Sequence, residues 1–170
     1  MARFDAEWVA SLSSEARRRE TRPHDLLRRA GVKPGAKVVD YGAGPGFFAV
    51  PAAELGAEVV AVEIEPRMRA LLAEKRIEAR ETSRELPDGW ADVVVAGLFL
   101  HDMDDRGAAV RELRRLCSGR LLVVEWIADR PRPNRFAPSE LADLLREHGF
   151  RPFRARRLGP TYFSMMGAPR

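Results

Sequence analysis

The segment Asp40-Tyr41-Gly42-Ala43-Gly44-Pro45-Gly46-Phe47 carries the residue types most directly suited to ligand chemistry. Alternate glycines let a ligand approach the main chain, and a helix starting just beyond them offers unpaired N–H donors. Glu63 follows 21 residues after Gly42, at the end of the next Val-rich run. A carboxylate there can accept hydrogen bonds from both ribose hydroxyls of an adenosine and would repel a 2′-phosphate. The dinucleotide fingerprint wants a small residue where Phe47 stands, so the spacing argues against a tightly packed pyrophosphate. The alternative reading of the glycines is a tight turn that binds nothing.

A second group lies further along. His101 suits general-base work near neutral pH, or it is a polar loop residue that caps its neighbours. Asp102, Asp104 and Asp105 stand beside it. Three carboxylates could bind a metal, but a following helix needs acids at its N-terminus, and no metal site is assigned. Glu125 and Trp126 end another apolar run; Trp126 either contacts a flat substrate or belongs to the core. His24 and His148 read as structural, and Cys117 as a buried, inert residue on an inward helical face.

Positioning these groups takes an alternation of strands and helices. Strands are expected at 36–41, 58–63, 77–81, 91–97 and 120–126, and their near-continuous Val and Leu content suits parallel strands buried on both faces. Phe4, Trp8 and Leu12 recur every four residues, predicting a helix over 4–20, and Pro23 to Gly31 predicts a short one. Further helices are expected from Pro66, from about Asp105, and from an N-cap at Ser139 to Gly149. Residues 150–158 and 161–167 flank Gly159-Pro160 as a hairpin. The result is an α/β fold, a Rossmann-like, doubly wound, seven-stranded sheet in three layers, mostly parallel with an antiparallel closing hairpin.

The 170 residues are read as one domain, with 1–30 as N-terminal helices that could form a lid and 31–170 as the core. This leaves no room for a separate substrate domain and favours a compact acceptor, or a partner that supplies surface. One cysteine excludes an internal disulfide, and no run approaches the roughly 20 apolar residues of a membrane span. Without a signal-peptide h-region, the chain is expected to be cytoplasmic. There are 26 Arg against 3 Lys, and residues 120–170 hold ten Arg against five acids. Arg130, Arg132 and Arg135, with Phe136, could recognise an anionic substrate or be plain surface. Arg154 and Arg156 should share one strand face, and Arg151 and Arg157 the other, a poor single surface for nucleic acid.

The ordered set of motifs resembles the class I S-adenosylmethionine-dependent methyltransferases, from about Arg22 to Met166. Val38 to Gly46 is similar to the family's first motif, Val59 to Met68 to its second-strand acidic motif, and Leu86 to Val95 with Leu98-Phe99-Leu100-His101 to its fourth-strand region. The resemblance implies a methyltransferase with S-adenosyl-L-methionine as cofactor and S-adenosyl-L-homocysteine as product. It places Asp40, Tyr41, Gly42, Ala43, Gly44, Gly46 and Phe47 around the methionine part, with Asp40 beside the amino group. Glu63 would hold the ribose and Ile64 pack on the adenine, with Leu98 also at the cofactor. Thr82, with Ser83 next, stands where the family often has an acid contacting the adenine amino group, so a hydroxyl or backbone group must do that work. His101 is the candidate catalytic residue. Members that methylate amino groups of bases usually carry an Asn/Asp-Pro-Pro-aromatic element after strand four. Leu98-Phe99-Leu100-His101 stands there instead, which argues against that chemistry, and the acceptor is expected to be a small molecule. The alternatives are an RNA or protein methyltransferase and an NAD-binding oxidoreductase. A nucleic-acid partner is not favoured, no membrane partner is expected, and a homo-oligomer stays open.

Overall fold

The computed structural model describes residues 6–127 and 135–170. Short helices α1 (Ala6–Leu12), α2 (Glu15–Thr21) and α3 (Pro23–Ala30) come first. The chain then alternates through β1 (Lys37–Tyr41), α4 (Ala49–Glu54), β2 (Glu58–Val62), α5 (Pro66–Glu74) and β3 (Glu78–Arg80). It continues through β4 (Ala91–Gly97), a 3-10 turn (Leu100–Asp102), α6 (Arg106–Leu116) and β5 (Cys117–Trp126). The last elements are α7 (Pro138–Glu147) and the hairpin of β6 (Phe150–Arg157) and β7 (Tyr162–Pro169).

The seven strands form one sheet in the order β3-β2-β1-β4-β5-β7-β6. β1 to β5 run parallel, while β7 is antiparallel to both β5 and β6. Strand alternation sorts the side chains into two cores. Val39, Val94, Leu121 and Val123 pack with Leu113 of α6 and Leu141 and Leu145 of α7. Val38, Val93, Leu122 and Val124 pack on the other face with Leu27 of α3, Ala49 of α4 and Leu72 of α5. Burial on both faces is why these strands read as continuous apolar runs. After β1 the chain steps outward to β2 and β3, then returns to β4 on the other side. The crevice at the carboxyl ends of β1 and β4 is the topological switch point, where open α/β sheets bind ligands.

Several expectations need correction. The helix over 4–20 is two helices, because Ser14 accepts a hydrogen bond from Arg17 N–H at 3.4 Å and starts α2 anew. Phe4 and the side chain of Trp8 lie outside the described residues, as do Arg130 and Arg132. Cys117 is buried but opens β5, where it pairs with Ala91, rather than lying on a helix. The N-cap of α7 is Ala137, not Ser139; Pro138 takes the first helical position and Glu140 accepts from Ala137 N–H at 2.7 Å. In β6 a bulge between Pro152 and Arg154 inserts Phe153 as an extra residue. The bulge inverts the alternation beyond it. Arg151, Arg154 and Arg156 therefore face the same side, opposite Ala168, Met166 and Ser164, with Arg157 on the other.

Candidate functional site

A cavity of about 890 Å³ opens at the switch point, within the range of about 300–1,000 Å³ typical of small-molecule and cofactor sites. The first motif forms one wall. Gly42 and Ala43 donate to Val62 O at 2.8 and 3.2 Å, which ties the loop to the end of β2. Gly42 has φ +71°, and a Cβ there would stand 2.3 Å from the Phe99 ring. Gly44 has φ +53°, yet a Cβ on it would meet nothing within 4 Å, because that side faces the open cavity. The two glycines serve different ends: one admits a ring, the other borders the open cavity.

Glu63 follows β2 and folds back onto the loop. Its Oε2 accepts from Gly44 N–H at 2.7 Å and its Oε1 from Glu65 N–H at 2.9 Å. Arg69 of α5 donates to the carbonyls of Glu63 and Ile64 at 2.8 and 2.6 Å, which fixes this turn. Ile64 is 77% exposed and lines the cavity, an unusually exposed large apolar side chain.

Asp40, at the end of β1, is 2% exposed and its Oδ2 has no hydrogen-bond partner. Burial pushes its carboxyl up to about 7, with Glu63 adding to the rise; the Ala49 N–H and Arg17 pull the other way. A buried carboxylate oxygen left without a donor is costly unless something occupies that place.

The opposite wall comes from β4 and β5. Leu98 carries φ +54°, a left-handed conformation rare for leucine, and its N–H donates to Val124 O at 2.8 Å. Glu125 is 1% exposed and collects three bonds: Leu100 N–H at 2.9 Å, His101 N–H at 3.3 Å and His101 Nδ1 at 2.9 Å. Nδ1 thus carries the proton and donates to Glu125, which leaves Nε2 as the basic nitrogen, 3.5 Å from Asp102. Burial works to lower the His101 pKa, but the bond and charge of Glu125 outweigh it and the net shift is upward. Trp126 also lines the cavity and packs on Tyr162 with ring centroids 4.7 Å apart.

The structure brings Asp40, Tyr41, Gly42, Ala43, Gly44, Phe47, Glu63, Ile64, Leu98 and His101 to this one cavity. Gly46 belongs to the same loop but is turned to Leu72 and Val50. Thr82 and Ser83 do not line the cavity; they border a neighbouring recess with Tyr41, Arg84, Glu112 and Arg115. Ser83 donates to Glu112 at 2.5 Å and Thr82 accepts from Arg84 N–H at 3.2 Å. Glu81 reaches the main cavity instead. Asp105 caps α6 by accepting from Ala108 N–H at 2.7 Å. The sequence reading missed Arg17, which lies 8% exposed at the cavity with its guanidinium 4.1 Å from the Phe47 ring centroid. Its only local signal was the cap at Ser14, because its neighbours Arg18 and Arg19 disguise it as part of a charged tail.

Comparison with known proteins places the chain in a family. Residues 39–130, more than half of the chain, match the model of a family described as methyltransferase domain. The chain belongs to that family. Within that family, the glycine loop and the acidic strand end are the features that resemble the S-adenosylmethionine-dependent class. An uncharacterized protein of Mycobacterium tuberculosis is 30% identical over 115 residues, which are 61% of this chain and 42% of the relative. The chain therefore spans less than half the length of the curated relatives it matches. A solved methyltransferase from Aquifex aeolicus superposes with a TM-score of 0.86 at 21% identity, covering 99% of this chain and 100% of that one. The 1,6-didemethyltoxoflavin-N1-methyltransferase of Burkholderia thailandensis, solved with 1,6-didemethyltoxoflavin and S-adenosylhomocysteine, gives 0.73 at 24% identity, covering 99% and 92%. At these identities the two structures speak for the fold. No helix among the described residues is long and apolar enough to cross a membrane.

Proposed function

We propose that this methyltransferase acts on a small-molecule acceptor, using His101 as general base and the wall of Asp40, Gly44, Glu63 and Ile64 to hold the donor. The donor is a sulfonium whose methyl, when transferred in line to the acceptor's lone pair, leaves its bonding electrons on sulfur as a neutral thioether. The residues present fit such a group. Asp40 offers an unpartnered carboxylate oxygen to an ammonium, Gly44 leaves room against the main chain, and Ile64 offers apolar cover for a flat ring. Glu63 supplies its carboxylate at the end of β2, already oriented by two backbone N–H groups.

The observation that carries the acid–base part of the reading is the His101–Glu125 pair. Glu125 holds the imidazole in one tautomer and directs Nε2 away from itself. An acceptor O–H or N–H placed at that nitrogen loses its proton to His101, while the cavity walls align the remaining atoms. Alignment supplies most of the lowering of an in-line displacement barrier, so few reactive side chains are needed.

Titration calorimetry tests the donor site. S-adenosylhomocysteine is expected to bind in the micromolar range or tighter and NAD not to bind. Absence of S-adenosylhomocysteine binding would remove the reading. The neighbour solved with bound 1,6-didemethyltoxoflavin supports a small-molecule acceptor here without naming it.

A further inference from the structure

The cavity lining is strongly acidic, with Asp40, Glu63, Glu65, Glu81, Asp102 and Glu112 around it. Among the described residues that line it, Arg17 is the single arginine or lysine. Its Nη1 donates to Leu12 O at 2.6 Å and its flat face lies on Phe47, while the ε N–H has no partner. Burial lowers the Arg17 pKa only to about 10, so the group stays cationic at neutral pH. A desolvated cation with an unused donor is half of an ion pair.

The location of Arg17 points to the acceptor. Arg17 sits on α2, whose Glu20 accepts from the Thr161 and Tyr162 N–H groups and so lies against the start of β7. Tyr162, Asp40 and Glu125 favour its charge and Arg18 opposes it. Tyr162 and Glu125 belong to the β7 and β5 side, where Tyr162 packs on Trp126 and Glu125 holds His101. A second guanidinium, Arg135, stands 5.2 Å from the Trp126 ring centroid on that same side. Cation and sulfonium repel each other across a low-dielectric cavity, so a guanidinium here is favourable when an anion accompanies it.

We infer that the methyl acceptor is a planar anion whose acid group pairs with Arg17 while its ring lies against Trp126. Bidentate geometry makes a carboxylate the best match for the guanidinium fork. This rests on the methyltransferase reading above for the donor's place, and it assigns to Arg17 the selection of substrate by charge.

The experiment takes wild-type protein, Arg17→Gln and Arg17→Lys. Thermal melts first show that each variant folds, and calorimetry measures S-adenosylhomocysteine binding. Protein saturated with S-adenosylhomocysteine is then screened by saturation-transfer NMR against matched pairs of aromatic acids and their primary amides, such as 4-hydroxybenzoate with 4-hydroxybenzamide and indole-3-acetate with indole-3-acetamide. Acids are expected to bind wild-type protein at least tenfold more tightly than their amides. That preference is expected to vanish in Arg17→Gln and to persist in part in Arg17→Lys, with S-adenosylhomocysteine affinity unchanged in both. Equal binding of acid and amide, binding of no pair, or an acid preference that survives Arg17→Gln overturns the inference. So does a tenfold loss of S-adenosylhomocysteine affinity in Arg17→Gln, which would give the guanidinium to the donor's own carboxylate. Failure of wild-type protein to bind S-adenosylhomocysteine at all strikes the donor reading instead, and the acid–amide comparison is then read on the ligand-free protein.

Discussion

At Asp40 and His101, burial and partners move two titrations in ways that function should feel. Asp40 is raised to about 7, so the folded protein holds its proton more tightly than the unfolded chain does. The sign follows by linkage: below the usual carboxylate range both states are protonated, and stability falls as pH rises from there through about 7. Asp40→Asn is therefore expected to raise the melting temperature of the ligand-free protein at pH 8, to change it little near pH 4, and to weaken S-adenosylhomocysteine binding. Melts at the two pH values and one titration check this. His101 must be neutral to accept a proton, and its pKa is raised, so the acid limb of kcat/KM should lie above the ordinary histidine value of about 6.5. His101→Gln should lower kcat by about 10²–10⁴ with S-adenosylhomocysteine affinity intact, and Glu125→Gln should move the acid limb downward. A pH–rate profile of each variant, taken with whichever acceptor the acid–amide screen identifies, decides both points.

Elements explain why some of this was legible in the sequence and some was not. Strands β1, β2 and β4 announce themselves through Val pairs buried on both faces, and the glycine loop through its spacing; the switch point follows from their order. Local signals misled where tertiary pairing won. Cys117 looks helical because it follows the apolar face of α6, but pairing with Ala91 draws it into β5. Thr82 and Ser83 look like ligand hydroxyls by position, yet the Glu112–Arg115 pair turns Ser83 inward. Gly44 shows how an element's backbone can be tested apart from its ligand. Gly44→Ala meets no atom in the ligand-free protein but must keep φ +53°, at a cost of about 1–2 kcal/mol. The variant should fold with a modestly lower melting temperature while losing most of its S-adenosylhomocysteine affinity, because the new methyl stands in the ligand's space. Calorimetry and a melt on the same sample separate the two effects.

Over the whole molecule, the sheet supplies a rigid floor and the N-terminal helices supply one side of the cavity from far along the chain. Arg17 could not be read from sequence because its role exists only when α2 crosses over Phe47 and the start of β7. Glu20 makes that crossing. Its Oε1 accepts from the N–H groups of Thr161 and Tyr162 at 2.6 and 3.1 Å, joining residues more than 140 apart. Removing the carboxylate leaves two backbone donors without their charged acceptor, a loss of about 1–3 kcal/mol if the site stays shut to water. Glu20→Ala should therefore lower the melting temperature by several degrees, since about 1 kcal/mol shifts a domain of this size by about 2–4 °C. The consequence for function should be selective. Asp40, Gly44 and Glu63 are placed by β1, β2 and the loop's own backbone hydrogen bonds, so S-adenosylhomocysteine should still bind with nearly unchanged affinity. Arg17 loses its fixed place once α2 is untied, so the acid-over-amide preference should shrink toward that of Arg17→Gln. A Glu20→Ala protein that melts lower yet keeps the full acid preference would show that α2 is held over the cavity by its packing on Phe47 alone, and not by its tie to β7.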